Sequence, residues 1–302
     1  MPSRDIITRE LLSPNIEAMR LIVTADLHYN HAKSRSSADD VIDQINRAGG
    51  DALLVVGDTG VGDGDGIEQC LSKFTIRGPR LFVSGNHELW TSSGNSLELF
   101  HSTLPNRVRQ IGWHWLEDAP FLVNDAAIVG SIGWYDYSFA VPELEIARRF
   151  YEAKISPGAV NRLPEFGNLI LGEETDASLA IVGRWNDGKY VSLRQSDEAF
   201  LAGRIPSLRA QLSQLAKLPQ ILAAVHHVPF EALLPPRRGA QWDFARAYLG
   251  SGAMGDMIVG FENVQTVLCG HSHWPMEVTI GRARAINIGS GYRAKRFVSL
   301  DL

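Results

Sequence analysis

Apolar residues in this chain fall into short unbroken runs, most of which close on a polar or glycine-rich turn. Met19 to Ala25, Asp51 to Gly57, Arg80 to Val83, Gln220 to Val225 and Thr266 to Cys269 are such runs. Short apolar stretches without alternation predict strands covered on both faces, as in the parallel sheets of α/β proteins. Between the first two, Val41, Ile42 and Ile45 recur at helical spacing, Ser36 or Ser37 can cap the helix, and Gly49-Gly50 stops it. The stretch from Asp58 to Gly66 is a loop by its glycines. A short helix over Ile67 to Phe74 precedes the third strand, so the chain opens β-α-β-α-β, the order of stacked right-handed units.

The later pattern is less regular. Thr91 to Leu104 predicts a helix with Leu97, Leu99 and Phe100 on its apolar side. Val108 to Ile111, Trp113 to Leu116 and Ala126 to Ile132 predict strands of a second sheet. Residues 134–193 combine a helix over Pro142 to Ala153 with punctuated turns, Trp185 to Tyr190 among them, and residues 235–260 are loop-rich. Both read as insertions over the site. Ser196 caps a long helix through Ala202, Leu208, Leu212 and Leu215, which Pro206 should break or kink. Glu277 to Ile280, Arg284 to Ile288 and Phe297 to Leu300 predict closing strands. Residues 1–18 read as a polar lead-in and residues 19–302 as one domain.

Composition narrows the class of function. A chain of 302 residues, 45% hydrophobic and 21% charged, can bury a substantial core. Its net charge of −5 supplies no global basic field, so nucleic acid is not indicated, although a local basic groove stays open. Two cysteines, Cys70 and Cys269, build no disulfide framework and suit a reducing compartment, so a cytoplasmic location is expected. The sequence predicts neither a signal peptide nor a membrane anchor. Nothing in the pattern fixes an oligomeric state.

Candidate chemistry gathers at the turns. Asp26-Leu27-His28, Gly57-Asp58, Gly85-Asn86-His87-Glu88, His226-His227 and Gly270-His271-Ser272-His273 each follow an apolar run. Open α/β sheets bind ligands beyond the carboxyl ends of their strands, so five such turns can meet in one cleft. Their donors are carboxylate, imidazole and amide, a mixture suited to Mn, Fe, Zn or Ni rather than to a structural zinc knot. A two-metal hydrolytic site is the expectation.

In order and context, these five motifs resemble the signature of the calcineurin-like metallophosphoesterases across residues 26 to 273. The resemblance implies an α/β fold (α+β in some schemes), a four-layer αββα sandwich of two mixed β-sheets flanked by helices. It implies two divalent or trivalent ions, one held by Asp26, His28, Asp58 and His273, the other by Asp58, Asn86, His226 and His271. His87 would face the leaving-group oxygen as general acid, with Glu88 helping to orient it. His226 is favoured over His227 as ligand, because the family uses the first histidine of such a pair; His227 would stand beside it or line the cleft.

The implied substrate is a small phosphoester, nucleotides included, and the implied reaction is phosphodiester or phosphomonoester hydrolysis. The protein Ser/Thr phosphatases of the superfamily carry Asp-Arg-Gly after the bridging aspartate, whereas Asp58 here precedes Thr59-Gly60-Val61. A catalytically inactive scaffold of the same fold is the alternative of another class, and such a protein would be expected to lack ligands or the acid histidine.

Several residues have a plainer reading beside a sharper one. Trp134 and Tyr135, with Tyr137, form either a stacking platform for a base or sugar or a piece of core. Arg237 and Arg238 either grip a second anion or belong to a solvated loop. Asp63 and Asp65 fit a glycine-rich loop better than a calcium loop, which would need a closing Glu. His31 and His101 read as surface residues and His114 as a packed strand residue.

Overall fold

Residues 18–92 and 94–302 are described by the structure, a computed structural model, so the expected lead-in lies, except for Ala18, outside the described residues. The strands are β1 (Arg20–Thr24), β2 (Ala52–Val56), β3 (Arg80–Val83), β4 (His114–Trp115), β5 (Phe121–Val123), β6 (Ala126–Ser131), β7 (Gln220–Val225), β8 (Val264–Cys269), β9 (Met276–Ile280), β10 (Ala283–Asn287) and β11 (Phe297–Asp301). They form a five-stranded sheet, β11-β1-β2-β3-β4, and a six-stranded sheet, β5-β6-β7-β8-β10-β9. In the first, β1 to β4 are parallel and β11 is an antiparallel edge. In the second, β6, β7, β8 and β10 are parallel, with antiparallel β5 and β9 at the edges.

Burial explains why these runs do not alternate. Leu54 and Val56 of β2, Leu81 and Val83 of β3, Ile128 of β6 and Leu222 of β7 share one apolar cluster between the sheets. Their neighbours Leu53, Val55, Phe82, Val129 and Ala223 belong to a second cluster with helix residues Val41, Ile42, Ile45, Leu208 and Leu212. Side chains point to opposite faces with a period of two, so a strand apolar on both faces must lie between two layers. The result is two mixed sheets back to back with helices outside, the metallophosphoesterase fold.

Several boundaries differ from the sequence pattern. The first helix is Ala32–Ala48, capped by His31, whose ring nitrogen accepts from the Lys33 amide a turn before Ser36. Helical structure runs on from Ser96–Glu98 through a π-turn at Leu99–Thr103 to Leu104–Gln110. It absorbs the expected strand at Val108, because Leu104 and Val108 are buried one helical turn apart. Trp113 to Leu116 does contain a strand, but β4 pairs with β3 in the first sheet, not the second. The last strand, β11, also returns to the first sheet.

The long helix Asp197–Gln214 continues through Pro206, at the cost of one amide donor. Pro142 to Ala153 divides into a 3-10 turn, Pro142–Leu144, and a helix, Arg148–Glu152, with left-handed Glu145 between them. Residues 235–260 contain helices Ala240–Ala245 and Gly252–Val259, more structure than their loop-like composition predicts. Among the described residues no helix is long and apolar enough to cross a membrane. In-register pairing of Thr24 with Val55 and Val56 with Val83 sets the turns after β1, β2 and β3 side by side.

Candidate metal centre

Five residues at the carboxyl ends of the strands have left-handed backbone: Asp26 (φ 55°), His28 (44°), Asp58 (55°), His271 (66°) and His273 (55°). Such a conformation costs about 1–3 kcal/mol for a residue with a side chain and persists only where its surroundings over-determine it. Here hydrogen bonds link the turns. Asp26 N donates to Gly57 O (2.9 Å), His28 N to Asp58 O (2.7 Å) and Gly270 N to His226 O (3.1 Å). His271 N donates to the Asp26 carboxylate (2.9 Å). Gly85 is required by closeness: a Cβ there would stand 2.2 Å from Asp58 Oδ1 and 2.7 Å from His226 Cε1.

The turns bring together two groups, Asp26, His28, Asp58 and His273, and Asp58, His226 and His271, with the donor atoms of each group within 4.8 Å of one another. Asp58 belongs to both. Nε2 of His28 lies 2.9 Å from Nε2 of His273 and 3.8 Å from Asp58 Oδ2, and Nε2 of His226 lies 3.3 Å from Asp58 Oδ1. Nδ1 of His226 faces the Val56 carbonyl (2.9 Å), and Nε2 of His271 faces the Tyr248 carbonyl (3.2 Å). A carbonyl can only accept, so in its neutral form each imidazole carries its proton there and keeps a lone pair on the other nitrogen. Those other nitrogens, together with Asp26 Oδ2 and Asn86 Oδ1, are buried without a hydrogen-bond partner. Unpaired buried acceptors from carboxylate, imidazole and amide fit two cations well.

Electrostatics agrees. Burial pushes the pKa of His28 and His271 well below the ordinary value, and that of His273 down to about 4, so these rings are neutral ligands in waiting. Burial, and the charge of Asp58 against it, carries Asp26 up to about 7. Burial opposes ionisation of Asp58, yet the rings of His226, His87 and His28 hold it well below the usual range. His226 is raised to about 9: burial works against its charge, but the carboxylates of Asp58 and Asp26 outweigh it. The pocket calls for positive charge at its centre.

The other expected site residues divide. His87 lines a cleft of about 500 Å³ with Asp58, Asn86, Trp90, Arg184, Trp185, Trp242 and Tyr292. Its ring stacks on Trp90 at 3.7 Å, with Nε2 3.9 Å from Asp58 Oδ2. Glu88 has a different task from the one expected. It is fully buried, away from the cleft lining, and accepts four backbone amides: Asp58 (2.9 Å), Thr59 (2.6 Å), Gly60 (3.1 Å) and Gly85 (2.6 Å). It positions the turns rather than the His87 ring. His227 lies behind the site, its Nδ1 on the Ile132 carbonyl (2.8 Å), and burial lowers its pKa to about 3.

Trp134 and Tyr135 are completely buried, so they are core and not a platform open to a ligand. Trp134 donates to Asp197 (2.8 Å) and Tyr135 to Asp187 (3.1 Å). Arg237 is engaged by Asp243 (3.1 Å) and Glu143 (3.2 Å) and lines no part of the cleft. Arg238 lies over the Trp274 ring in an adjoining cavity of about 320 Å³. Aromatic walls do exist, but Trp90, Trp185, Trp242 and Tyr292 supply them. Those positions were missed because each lies outside the apolar runs that mark the strands. Asp63, as expected of a loop residue, accepts from Ser92 N (2.6 Å) and Ser92 Oγ (2.7 Å).

Back-to-back mixed sheets with paired Asp/His clusters across their strand ends define the metal-dependent phosphoesterases. The chain belongs to the calcineurin-like phosphoesterase family, whose family model matches residues 19–275. Among solved structures it is similar to the phosphopantetheinyl hydrolase of Mycobacterium tuberculosis, with a TM-score of 0.64 and 22% identity, covering 92% of this chain and 90% of that one. It is also similar to a dimetal phosphatase from Danio rerio, with a TM-score of 0.55 and 17% identity, covering 95% and 93%. No curated protein sequence matches the chain.

Proposed function

We propose that this chain hydrolyses small phosphoric esters, diesters foremost, with one cation held by Asp26, His28, Asp58 and His273 and a second by Asp58, Asn86, His226 and His271. The observation that carries this reading is the set of buried, unpartnered donor atoms on Asp26, Asn86, His226 and His271 around Asp58. When bound, such a pair acidifies water and offsets the charge that grows on the phosphoryl oxygens. Asp58 offers one oxygen to each cluster. His87, on the cleft wall, donates a proton to the departing ester oxygen. Burial holds its pKa below the ordinary value, so its imidazolium is a stronger acid while a smaller share of the ring carries the proton at neutral pH. Trp90 fixes the plane of that ring by stacking on it.

A small ester is favoured over a phosphoprotein by the cleft's aromatic walls and by Thr59-Gly60-Val61 after Asp58. The scaffold reading is disfavoured by the presence of His87 and all seven ligand residues. The test is hydrolysis of bis(p-nitrophenyl) phosphate and p-nitrophenyl phosphate with Mn²⁺, with and without chelator. Chelator-sensitive release from the diester is expected; none from either ester would sink the reading.

A further inference from the structure

Asp187 is completely buried, lies in the insertion, and has no Lys or Arg partner among the described residues. A lone buried carboxylate is costly unless hydrogen bonds replace its water. Four donors do so. Oδ1 accepts from Asn86 Nδ2 (2.8 Å) and Trp90 Nε1 (2.7 Å), while Oδ2 accepts from Tyr135 Oη (3.1 Å) and Trp185 Nε1 (2.8 Å). Three of the four donor residues, Asn86, Trp90 and Trp185, line the cleft.

We propose that Asp187 is a positioning residue through which the 134–193 insertion sets the amide of Asn86 and so completes the second cation cluster, an inference that rests on the two-metal reading above. An amide side chain offers an oxygen on one side and an NH₂ on the other, and its neighbours decide which way it faces. A carboxylate cannot donate, so Asp187 holds the NH₂ of Asn86 and leaves Oδ1 as the unpartnered atom. The same oxygen anchors Trp90, which stacks on His87. The other anchors Trp185, which stacks on Tyr248, whose carbonyl fixes the tautomer of His271. One carboxylate thus orients a ligand, the proton donor's neighbour and a cleft wall.

Manganese content of the full-length chain, measured after gel filtration at limiting metal, tests this. Asp187→Ala, which removes both acceptor oxygens, is expected to fall from two ions towards one, with affinity for the weaker ion down about 10–100-fold, as when a partner behind a metal ligand is removed. Its indole emission should shift as Trp90 and Trp185 lose their acceptor. Tyr135→Phe removes one of the four bonds without touching Asn86 and should keep both ions. Asn86→Asp sets two carboxylates face to face and should also lose the second ion. Exchanging the pair, Asn86→Asp with Asp187→Asn, restores a donor opposite an acceptor and should recover it in part.

Two ions at wild-type affinity in Asp187→Ala would overturn the inference alone. So would equal loss in Tyr135→Phe, or an exchanged pair no better than Asn86→Asp alone, a comparison that stands even if Asp187→Ala does not fold. A wild-type chain that never held a pair of ions would overturn the two-metal reading with it.

Discussion

The Glu88 carboxylate accepts the amides of Asp58 at 2.9 Å and Gly85 at 2.6 Å, tying the turn after β2 to the turn after β3. Burial and the Asp58 charge push its pKa up to about 7, while the amide donors pull the other way. Glu88→Ala would strand four buried N–H groups, each costing about 1–3 kcal/mol. That sum is comparable with the whole stability of a domain, about 5–15 kcal/mol. Thermal melting and metal content should both fall steeply; Glu88→Gln, with one acceptor oxygen left, should fall less.

His87→Ala should do the reverse. Metal content should stay at two ions per chain while kcat drops by about 10²–10⁴-fold, the usual contribution of a general acid. The loss should be greater for alkyl diesters, whose alkoxide needs the proton, than for p-nitrophenyl esters. Equal loss on both would count against proton donation.

Trp242 is 68% exposed at the rim of the cleft and its neighbouring cavity. Trp242→Ala should leave melting within about 0.5 kcal/mol of wild type, as for exposed sites generally. It should raise KM for esters with aromatic leaving groups and leave kcat nearly unchanged, because a wall that holds substrate and transition state alike affects binding only. Steady-state kinetics on aryl and methyl phosphodiesters separate the two parameters.

Away from the Asp/His clusters, Glu117 provides a pH test. Burial raises its carboxyl from 4.5 to about 7, against its bond from the Ile132 amide. The folded chain therefore keeps this proton longer than the unfolded one. Its stabilising contribution is full below pH 4.5 and is lost as pH rises through 7, with a slope of at most about 1.4 kcal/mol per pH unit. Glu117→Gln should flatten that decline in denaturant melts between pH 5 and 7. An unchanged slope would show the carboxyl already ionised there.

What could be read in advance follows from local physics. Apolar runs ending in Asp58, Asn86 or His226 are contiguous signals, so the parallel strands and the polar side chains gathered at their ends were legible. Sheet membership of β4 and β11 was not, because pairing partners lie far away in sequence. Val108 was misplaced because four residues cannot distinguish alternation from a helical turn when Leu104 lies outside the window. The role of Asp187 depends on four donors, three of them 52 to 101 residues away, which a Trp-Asn-Asp-Gly turn does not announce.

The left-handed turns at Asp26, His28, Asp58, His271 and His273 are bonded to one another and to the neighbouring strands by the chain's own amides and carbonyls. Their geometry is therefore preorganised. A cation held there would have little chain entropy left to remove.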